Sequence, residues 1–581
     1  MRTAAISGEA RILLRWLSLG AGVLCLVALC AGRVGGSPAT AQTAYALNDP
    51  DAACASCHRA IYERYEKTPM ANSSGTAAAG FLPADFVHAR SGVHYRITEN
   101  DGQVWLHFER QSPTAARSLN GERRLLYFVG SGDRGRTYLF EKDGYWFESP
   151  INWYAKKRVW DMAPNKLAAT EMPLTMEVDA GCLHCHASGV SEPLPDARNH
   201  FAGRPFAAGG VTCASCHGDG RAHVASGGKT PMLDLAKVAG VRRDSICLNC
   251  HLEGQAMVEQ RGKALAEFRP GEDLFHYALY FAYKSDEPTG GRASSQWEAL
   301  LRSRCLRESG GKMTCTTCHD PHGDPEPGPQ RVAFFRQKCL QCHDTPGFAA
   351  NHHPEQQDCA ACHMARLKSS DIAHSQITDH WIRVEPRVAP AAKPATNGVL
   401  AVVGGAGAEE GVQERDLDRD LGLAYAQMAE RGDGQAGVRA LKLLQRAEKE
   451  ERGADTDSEL HTQLGFLEQE AGKTDAAVRE YRAALVAKAE DSAAAGDLAL
   501  IEAGRHQTAA AVARLRKVFA DDPAQVQAGL DLAVLECGLG RRGDALSTVN
   551  RVLAFSPDDE QAKRFAVRLM LGRTPCTENG R

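Results

Sequence analysis

Pairs of cysteines that are separated by two residues and followed at once by a histidine recur along the first two thirds of this chain. In such a pentapeptide, two thiols on one helical turn can bond covalently to one macrocycle, and the adjacent histidine can supply an axial nitrogen to its iron. We number the copies motif 1 to motif 7 in chain order: 54–58, 182–186, 213–217, 247–251, 315–319, 339–343 and 359–363. The pattern predicts covalent attachment of seven c-type haems.

The motifs assign the cofactor-binding residues directly. The predicted thioether-forming residues are Cys54, Cys57, Cys182, Cys185, Cys213, Cys216, Cys247, Cys250, Cys315, Cys318, Cys339, Cys342, Cys359 and Cys362. The predicted proximal iron ligands are His58, His186, His217, His251, His319, His343 and His363. A zinc site or a redox dithiol also uses paired cysteines, and disulfides are a further alternative, but none of them requires the histidine that follows every pair.

Five of the 19 cysteines lie outside the motifs. Cys25 and Cys30 fall near the N-terminus, and Cys305, Cys537 and Cys576 are isolated along the chain, which is not the pattern of a disulfide framework. Cys537 lies in an amphipathic helical pattern, which predicts a small buried side chain.

The sixth ligand of each iron decides between electron transfer and catalysis. A second histidine or a methionine gives a low-spin electron carrier, whereas an open position is a candidate catalytic site. The haem-motif region holds twelve histidines besides the proximal ones, and we predict these distal ligands among them: His223, His276, His322, His374 and His380. A lone histidine is as often an ordinary structural residue. Met70, twelve residues after His58, either reaches over the first iron or packs against the haem face.

The N-terminus carries an export pattern. Arg2, Arg11 and Arg15 precede an apolar run over 16–31, and small residues follow up to Ala41, as in a cleaved secretory signal. We therefore predict a signal peptide over 1–41; an uncleaved membrane anchor is the alternative, although the run is short for a membrane span. Because c-type haem is attached outside the bacterial cytoplasm, we expect a periplasmic protein, with membrane contact or a cell-surface position only if this segment is retained. The net charge of −4 gives no indication of nucleic-acid binding.

Composition divides the mature chain into three segments. Residues 45–383 hold all the motifs, 384–413 are rich in Pro, Ala and Gly and read as a linker, and 414–575 have a strongly helical pattern. Within the first segment, alternating apolar residues and two Asp-Gly pairs predict a small β insertion over about 86–160. We predict a mainly α protein: short helices and loops around packed haems, followed by an α-solenoid.

The helical segment contains a repeat of 34 residues. Ala477, Ala511 and Ala545 share this spacing, as do Pro523 and Pro557. Paired helices at a period of 34 are typical of tetratricopeptide repeats; a generic helical bundle is the alternative. Such solenoids present a concave face to protein partners, so this segment predicts docking.

Several stretches resemble a known family. They are 57–70 (CHRAIYERYEKTPM), 130–139 (GSGDRGRTYL), 216–223 (CHGDGRAH), 315–322 (CTTCHDPH) and 378–382 (TDHWI). With the repeat tail, they resemble exported bacterial multihaem cytochromes with tetratricopeptide repeats, and more broadly the tetrahaem cytochromes with doubled motifs. The resemblance implies electron transfer and bis-histidine haems, and by position it implies His223 and His322 as distal ligands.

Three functions agree with these patterns. The first is an electron relay between periplasmic or cell-surface redox proteins, and the second is a multihaem oxidoreductase acting on a small nitrogen or sulfur compound at one open haem. The third, compatible with the first, is an assembly module in which the solenoid docks a partner. Pentahaem nitrite reductases carry lysine in place of the motif histidine at their active haem, and no motif here has that change. Motif 1 stands apart, 123 residues before motif 2, and is where we expect an open site if one exists.

Overall fold

The computed structural model describes residues 45–113, 117–178, 180–284, 295–367, 377–385, 398–404, 412, 414–451 and 456–572. The predicted signal peptide, Cys25, Cys30, Cys576 and His374 lie outside these residues. Leu47–Arg581 forms one compact unit. Within the described residues, no helix is both long enough and apolar enough to cross a membrane.

The strands are β1 Ser74–Thr76, β2 Ala84–Val87, β3 His94–Asn100, β4 Gln103–Arg110, β5 Leu119–Val129, β6 Gly135–Lys142, β7 Tyr145–Tyr154, β8 Val159–Met162, β9 Ala187–Val190, β10 Phe206–Gly209, β11 Ala256–Glu259, β12 Ala278–Tyr283 and β13 Leu400–Val402. The helices of the motif region are α1 Ala52–Ala55, α2 Arg59–Tyr65, α3 Ala180–His186, α4 Cys213–His217, α5 Arg221–Ala225, α6 Gly240–His251, α7 Gln296–Leu300, α8 Arg304–Glu308, α9 Cys315–Cys318, α10 Pro329–Leu340, α11 Phe348–Asn351 and α12 Cys359–His363. The C-terminal helices are α13 Glu414–Glu430, α14 Gly434–Lys449, α15 Ser458–Glu470, α16 Thr474–Ala487, α17 Ser492–Gly504, α18 Thr508–Asp521, α19 Val526–Gly538, α20 Arg542–Phe555 and α21 Glu560–Met570.

The predicted β insertion is a substantial antiparallel sheet of strands β1–β8 rather than a small one. Strands β2 to β8 pair in chain order, and β1 pairs with β5. Alternation in β4 buries Val104, Leu106 and Phe108 on one face, as the period of two predicts. The sheet extends beyond the predicted range because β1 and β2 are too short to show such alternation in the sequence.

The sharp turns of this sheet follow the predicted Asp-Gly pairs. Asp101 and Gly102 have φ values of 51° and 74°, and Asp143 and Gly144 have 55° and 89°. Positive φ at both central residues is the geometry of a two-residue hairpin whose twist matches that of its strands. The pairs therefore set the register of β3 with β4 and of β6 with β7.

Part of the predicted linker is ordered structure. Residues 398–404 lie inside the range 384–413, and β13 within them pairs with β12, setting Val402 opposite Phe281. The reason is composition: the apolar run from Val399 to Val403 can complete a sheet, which the surrounding Pro, Ala and Gly residues cannot. This stretch is therefore part of a core and not a free tether.

The C-terminal helices form the predicted tetratricopeptide solenoid. Consecutive helices pack as hairpins, and the period of 34 places Ala477, Ala511 and Ala545 at equivalent, fully buried positions on α16, α18 and α20. Close approach requires small residues: a Cβ on Gly465 would lie 2.5 Å from the ring of Tyr481. Cys537 is partly buried in this core, as predicted, but it is disulfide-bonded, so its packing is not its sole role.

Both ends of the solenoid pack against the rest of the molecule. At its start, Leu423 of α13 shares a hydrophobic core with Phe281 and Leu400 of the β11–β13 sheet. At its end, Phe555 of α20 joins the core of the large sheet. The helical segment is thus continuous with the motif region at two separate places.

Candidate haem-binding centres

Every motif lies on a helical turn or at the end of one. Motifs 2, 3 and 7 are contained in α3, α4 and α12, and motif 4 ends α6. In motifs 1, 5 and 6, the amide of the histidine donates to the carbonyl of the first cysteine, over 2.9 to 3.1 Å. This one-turn geometry places two sulfurs and one imidazole at the same end of a helix, as covalent haem attachment requires.

Disulfides do not use any of the motif thiols. All fourteen motif cysteines lie among the described residues and none is disulfide-bonded. Across the described part of the chain, Asp51, Cys54 and Cys213 are the one group of three metal-binding side chains whose ligand atoms converge. Tetrahedral zinc needs four such ligands in a structural site, so the geometry does not favour the zinc alternative.

Motif histidines face other histidines at a characteristic separation. Two imidazole nitrogens that are each about 2 Å from one metal ion leave their ring centroids roughly 6 Å apart. Four pairs have this spacing: His58 with His223 at 6.4 Å, His217 with His322 at 6.0 Å, His319 with His380 at 6.2 Å, and His363 with His352 at 5.8 Å. The residues present therefore fit irons held between two imidazoles.

Hydrogen bonds select the ring tautomer that such ligation needs. Nδ1 of His223 lies 2.8 Å from the carbonyl of Thr230, and Nδ1 of His380 lies 2.9 Å from that of Thr378. Because a carbonyl only accepts, Nδ1 must carry the proton, and Nε2 keeps its lone pair. Nδ1 of His363 lies 2.6 Å from the carbonyl of Arg383 and is set in the same way.

The electrostatic surroundings favour neutral rings. Burial lowers the pKa of His217, and the neighbouring His322 and His58 lower it further. Burial is also the main cause that lowers the pKa of His380. Only the neutral imidazole offers a lone pair to a metal, so these shifts agree with the ligand role.

The predicted distal ligands are placed differently from one another. The structure sets His223, His322 and His380 opposite motif histidines. His276 is exposed on the 3-10 turn Leu274–His276, and no motif histidine faces its ring within the described residues. His374 lies outside the described residues, so its role as a distal ligand stays a prediction.

Met70 does not take the position opposite the first proximal ligand. That position belongs to the ring of His223. Met70 is half-buried, and its backbone carbonyl accepts the amide of Val211 over 3.0 Å, which ties its main chain to the segment before motif 3. Packing of Met70 against the haem face stays a prediction.

His352 is a candidate ligand that the sequence reasoning did not select. It precedes the motif whose histidine it faces, whereas His223 and His322 follow a motif closely, and this difference hid it. The signal for His352 in the sequence was a histidine between motifs 6 and 7.

The histidine of motif 6 faces a phenylalanine. The exposed ring of His343 lies 5.1 Å from the ring of Phe348.

Two aspartates that were also missed join motifs together. The carboxylate of Asp51 accepts the amide of Cys213 over 3.0 Å, and that of Asp244 accepts the amide of Cys315 over 3.1 Å. Burial raises the pKa of both carboxyls, and these hydrogen bonds oppose the rise. Each aspartate stands three residues before the first cysteine of its own motif, so the recurring Asp-x-x-Cys was the signal.

Histidines of the large sheet have structural partners instead. His94 contacts Asp85 and Glu109 through its two ring nitrogens, at 2.6 Å and 3.4 Å. His107 contacts Thr98 and Glu122. These rings support the sheet, as expected for histidines in strands.

Comparison with known families agrees with this geometry. Residues 152–218 match the family described as cytochrome c554 and c-prime, and residues 309–348 match the doubled CXXCH motif family. Residues 500–569 match the tetratricopeptide repeat family.

Individual relatives are distant. Multiheme cytochrome MtrA of Shewanella baltica (strain OS185) is 23% identical over 223 residues, covering 33% of this chain and 62% of that protein, which is less than two thirds of its length. Among solved structures, MamA AMB-1 is 20% identical with a TM-score of 0.24, covering 27% of this chain and 83% of that one. A tetratricopeptide repeat protein from Parabacteroides merdae is 18% identical with a TM-score of 0.24, covering 27% and 61%. At these TM-scores the structural likeness carries no argument.

Proposed function

We propose, from the premise that this chain is a multihaem c-type cytochrome with C-terminal tetratricopeptide repeats, that it relays electrons between exported redox proteins through seven haems. The observation that carries the proposal is the set of histidine pairs whose ring centroids lie 5.8 to 6.4 Å apart. An iron bound on both faces by imidazole has no free position for a substrate and exchanges electrons only.

Each group of residues has a distinct role in this proposal. The fourteen motif cysteines anchor the macrocycles, the motif histidines hold the irons from one side, and His223, His322, His380 and His352 hold four of them from the other. When bound, the haems supply one-electron exchange. The carbonyls of Thr230 and Thr378 fix the rings of His223 and His380, which keeps the ligands oriented during oxidation and reduction.

The tetratricopeptide helices serve protein docking in this proposal. Solenoids of this kind bind partners on their concave face. The repeats are joined to the motif region by a shared core, so a docked partner would be held at a fixed position relative to the haems. Location outside the cytoplasm follows from covalent haem attachment and from the export pattern before Gln42.

A second candidate function is a reaction at motif 6. His343 is exposed and its ring lies beside Phe348, an apolar side chain that cannot ligate iron. This surrounding favours motif 6 over motif 1 as the place where a small nitrogen or sulfur compound would bind, because His58 already faces His223.

Carbon monoxide tests both functions. We expect His322→Ala in the full holoprotein to create one reduced haem that binds carbon monoxide, because the iron at His217 loses its second imidazole. Absorption spectra with and without the gas measure this, and haem content by mass spectrometry should give seven haems in parent and variant.

His107→Ala is the matched control, since His107 lies in the large sheet, and its spectrum should equal that of the parent. If His322→Ala binds no more carbon monoxide than the parent, the pairing of His217 with His322 is wrong. If the parent already binds carbon monoxide at one haem, that result supports the second candidate function, a reaction at an open haem.

A further inference from the structure

The candidate distal ligands cross from one motif to another. His223 follows motif 3 by six residues, yet it faces His58 of motif 1. His322 follows motif 5 by three residues and faces His217 of motif 3. The pairs therefore tie motif 1 to motif 3, and motif 3 to motif 5.

The third crossing ties motif 5 to motif 7. His380 faces His319 of motif 5. Three residues later, the amide of Arg383 donates to the carbonyl of His363, and Nδ1 of His363 contacts the carbonyl of Arg383 over 2.6 Å. The segment that carries the distal ring of motif 5 is thus fastened to motif 7.

Contacts at the motif cysteines give a second set of links. The thiols of Cys54 and Cys213 lie within 4.8 Å of each other, which again joins motif 1 to motif 3. The amide of Cys315 donates to the carboxylate of Asp244 over 3.1 Å, and Asp244 lies on α6, the helix that ends with motif 4. Motif 4 is thus joined to motif 5.

The two remaining motifs are linked as well. The thiol of Cys185 donates to the carbonyl of Asn249 over 3.7 Å, and Nε2 of His184 lies 2.9 Å from the side-chain oxygen of Asn249, so motif 2 is joined to motif 4. Helix α10, which carries Cys339, packs against α12, which carries motif 7, so motif 6 is joined to motif 7.

We propose that these links order the haems along a branched route whose junction is motif 5. One arm runs through motif 3 to motif 1, a second through motif 4 to motif 2, and a third through motif 7 to motif 6. Tunnelling rates fall steeply with distance, and each haem would be bonded to the cysteines of its own motif, so motifs whose cysteines or iron ligands lie side by side give the shortest steps. The route rests on the proposed electron relay and specifies its path.

With haems bound, each step would move one electron and no atoms, because one iron would lose the electron that its neighbour gains. The electrons come from a reduced redox protein at one arm and leave to an oxidised one at another. Motif 1 is isolated in the chain. In this route it is the end of an arm and lies two steps from motif 5.

A flash experiment on the full holoprotein distinguishes this route from one that follows chain order. Cys305 is an exposed free thiol near Cys342, so a photoreducible ruthenium label there injects electrons close to motifs 5 and 6. His223→Met marks the haem of motif 1, because methionine ligation gives it a distinct absorption and a higher potential. The arrival of an electron at this haem is then followed by absorption.

In this marked protein, Cys182→Ala/Cys185→Ala removes the haem of motif 2. We expect the rate at which electrons arrive at motif 1 to stay within about twofold of the rate without this change.

His380→Met raises the reduction potential of the haem at motif 5, so the step from motif 5 to motif 3 becomes uphill. We expect electrons to arrive at motif 1 at least about tenfold more slowly. A route in chain order would pass through motif 2. Slowing by loss of motif 2, or no slowing by His380→Met, overturns the branched route while leaving the relay intact.

Failure of the relay itself would look different, since no electron would reach motif 1 in any variant although the label is oxidised.

Anomalous diffraction at the iron edge on crystals of the unmodified holoprotein gives a test that needs no variant. The iron nearest to that of motif 1 should belong to motif 3; an iron of motif 2 in that place would overturn the order.

Discussion

At the scale of single residues, His461 is a histidine held between two carboxylates. It lies in α15, nearly buried, with Nδ1 2.8 Å from Glu480 and Nε2 2.9 Å from Glu451. Burial on its own would lower the pKa of His461, but the hydrogen bonds to Glu451 and Glu480 outweigh it and raise the pKa to about 9. The ring is therefore a cation that joins two carboxylates between helices.

This arrangement predicts a pH dependence of stability. The folded pKa exceeds the ordinary value of 6.5, so the stabilisation is fully present below about pH 6.5 and is lost as pH rises through about 9. We expect His461→Gln to lower the free energy of unfolding by about 1–3 kcal/mol at pH 6, and by clearly less at pH 10. Urea denaturation followed by circular dichroism at the two pH values measures the difference.

The control is His506→Asn in the exposed turn after α17. This change should leave the free energy of unfolding unchanged at both pH 6 and pH 10. Equal effects of His461→Gln at pH 6 and pH 10 would show that the ring acts through packing and not through its charge.

The candidate proximal ligands follow from the sequence alone, whereas the rings that face them follow from it only in part. Cysteine, cysteine and histidine lie on one helical turn, so local geometry contains the whole signal. The ring that faces a motif histidine follows a different motif, as His223 does for His58, and its place depends on how distant segments pack. The contacts of Asp51 and Asp244 with other motifs depend on such packing too, although their position before a motif is visible in the sequence.

At the scale of elements, the solenoid repeats its helix caps as well as its core alanines. Asp457, Asp491 and Asp559 cap the first turns of α15, α17 and α21, each accepting a backbone amide. They share the 34-residue spacing, which places Gln525 at the equivalent position before α19. The side chain of Gln525 makes no cap hydrogen bond.

The missing cap can be added. Because asparagine is among the best N-cap residues, we expect Gln525→Asn to raise the free energy of unfolding by about 0.5–2 kcal/mol. Thermal or urea unfolding of the full protein measures it. Asp559→Ala, which removes an existing cap, should lower stability by a similar amount, and a destabilising Gln525→Asn would show that the amide contact of Gln525 with Asp522 matters more.

Elements with a strong periodic pattern were predictable and short ones were not. The solenoid and β4 repeat their apolar residues at periods that identify them. Strands β1, β2 and β13 have three or four residues each, too few for a period, and they form because a longer strand offers them an edge.

At the scale of the whole molecule, the last repeat is fastened to the large sheet by a buried ion pair. The Arg110 guanidinium donates to both carboxylate oxygens of Asp558, and the side chain of Asp558 is 0% exposed. The amide of Met172 donates to the same carboxylate over 2.8 Å. Three segments far apart in the chain therefore meet at Asp558.

Removing one partner of such a pair leaves an uncompensated buried charge. We expect Asp558→Ala to lower the free energy of unfolding by about 3–5 kcal/mol, measured by urea denaturation. Arg551→Ala is the matched control: its pair with Asp143 joins the same two parts of the molecule but is exposed, so its loss should cost less than about 1 kcal/mol. Similar costs for the two variants would contradict the role of burial.

The crossing of His223 to motif 1 also bears on how the protein is made. Under the proposed export from the N-terminus, Cys54 and Cys57 would become available for haem attachment before the segment that carries His223. Until that segment follows, the imidazole of His58 would have no opposite ring. Haem attachment at motif 1 would then come before the pairing of His58 with His223.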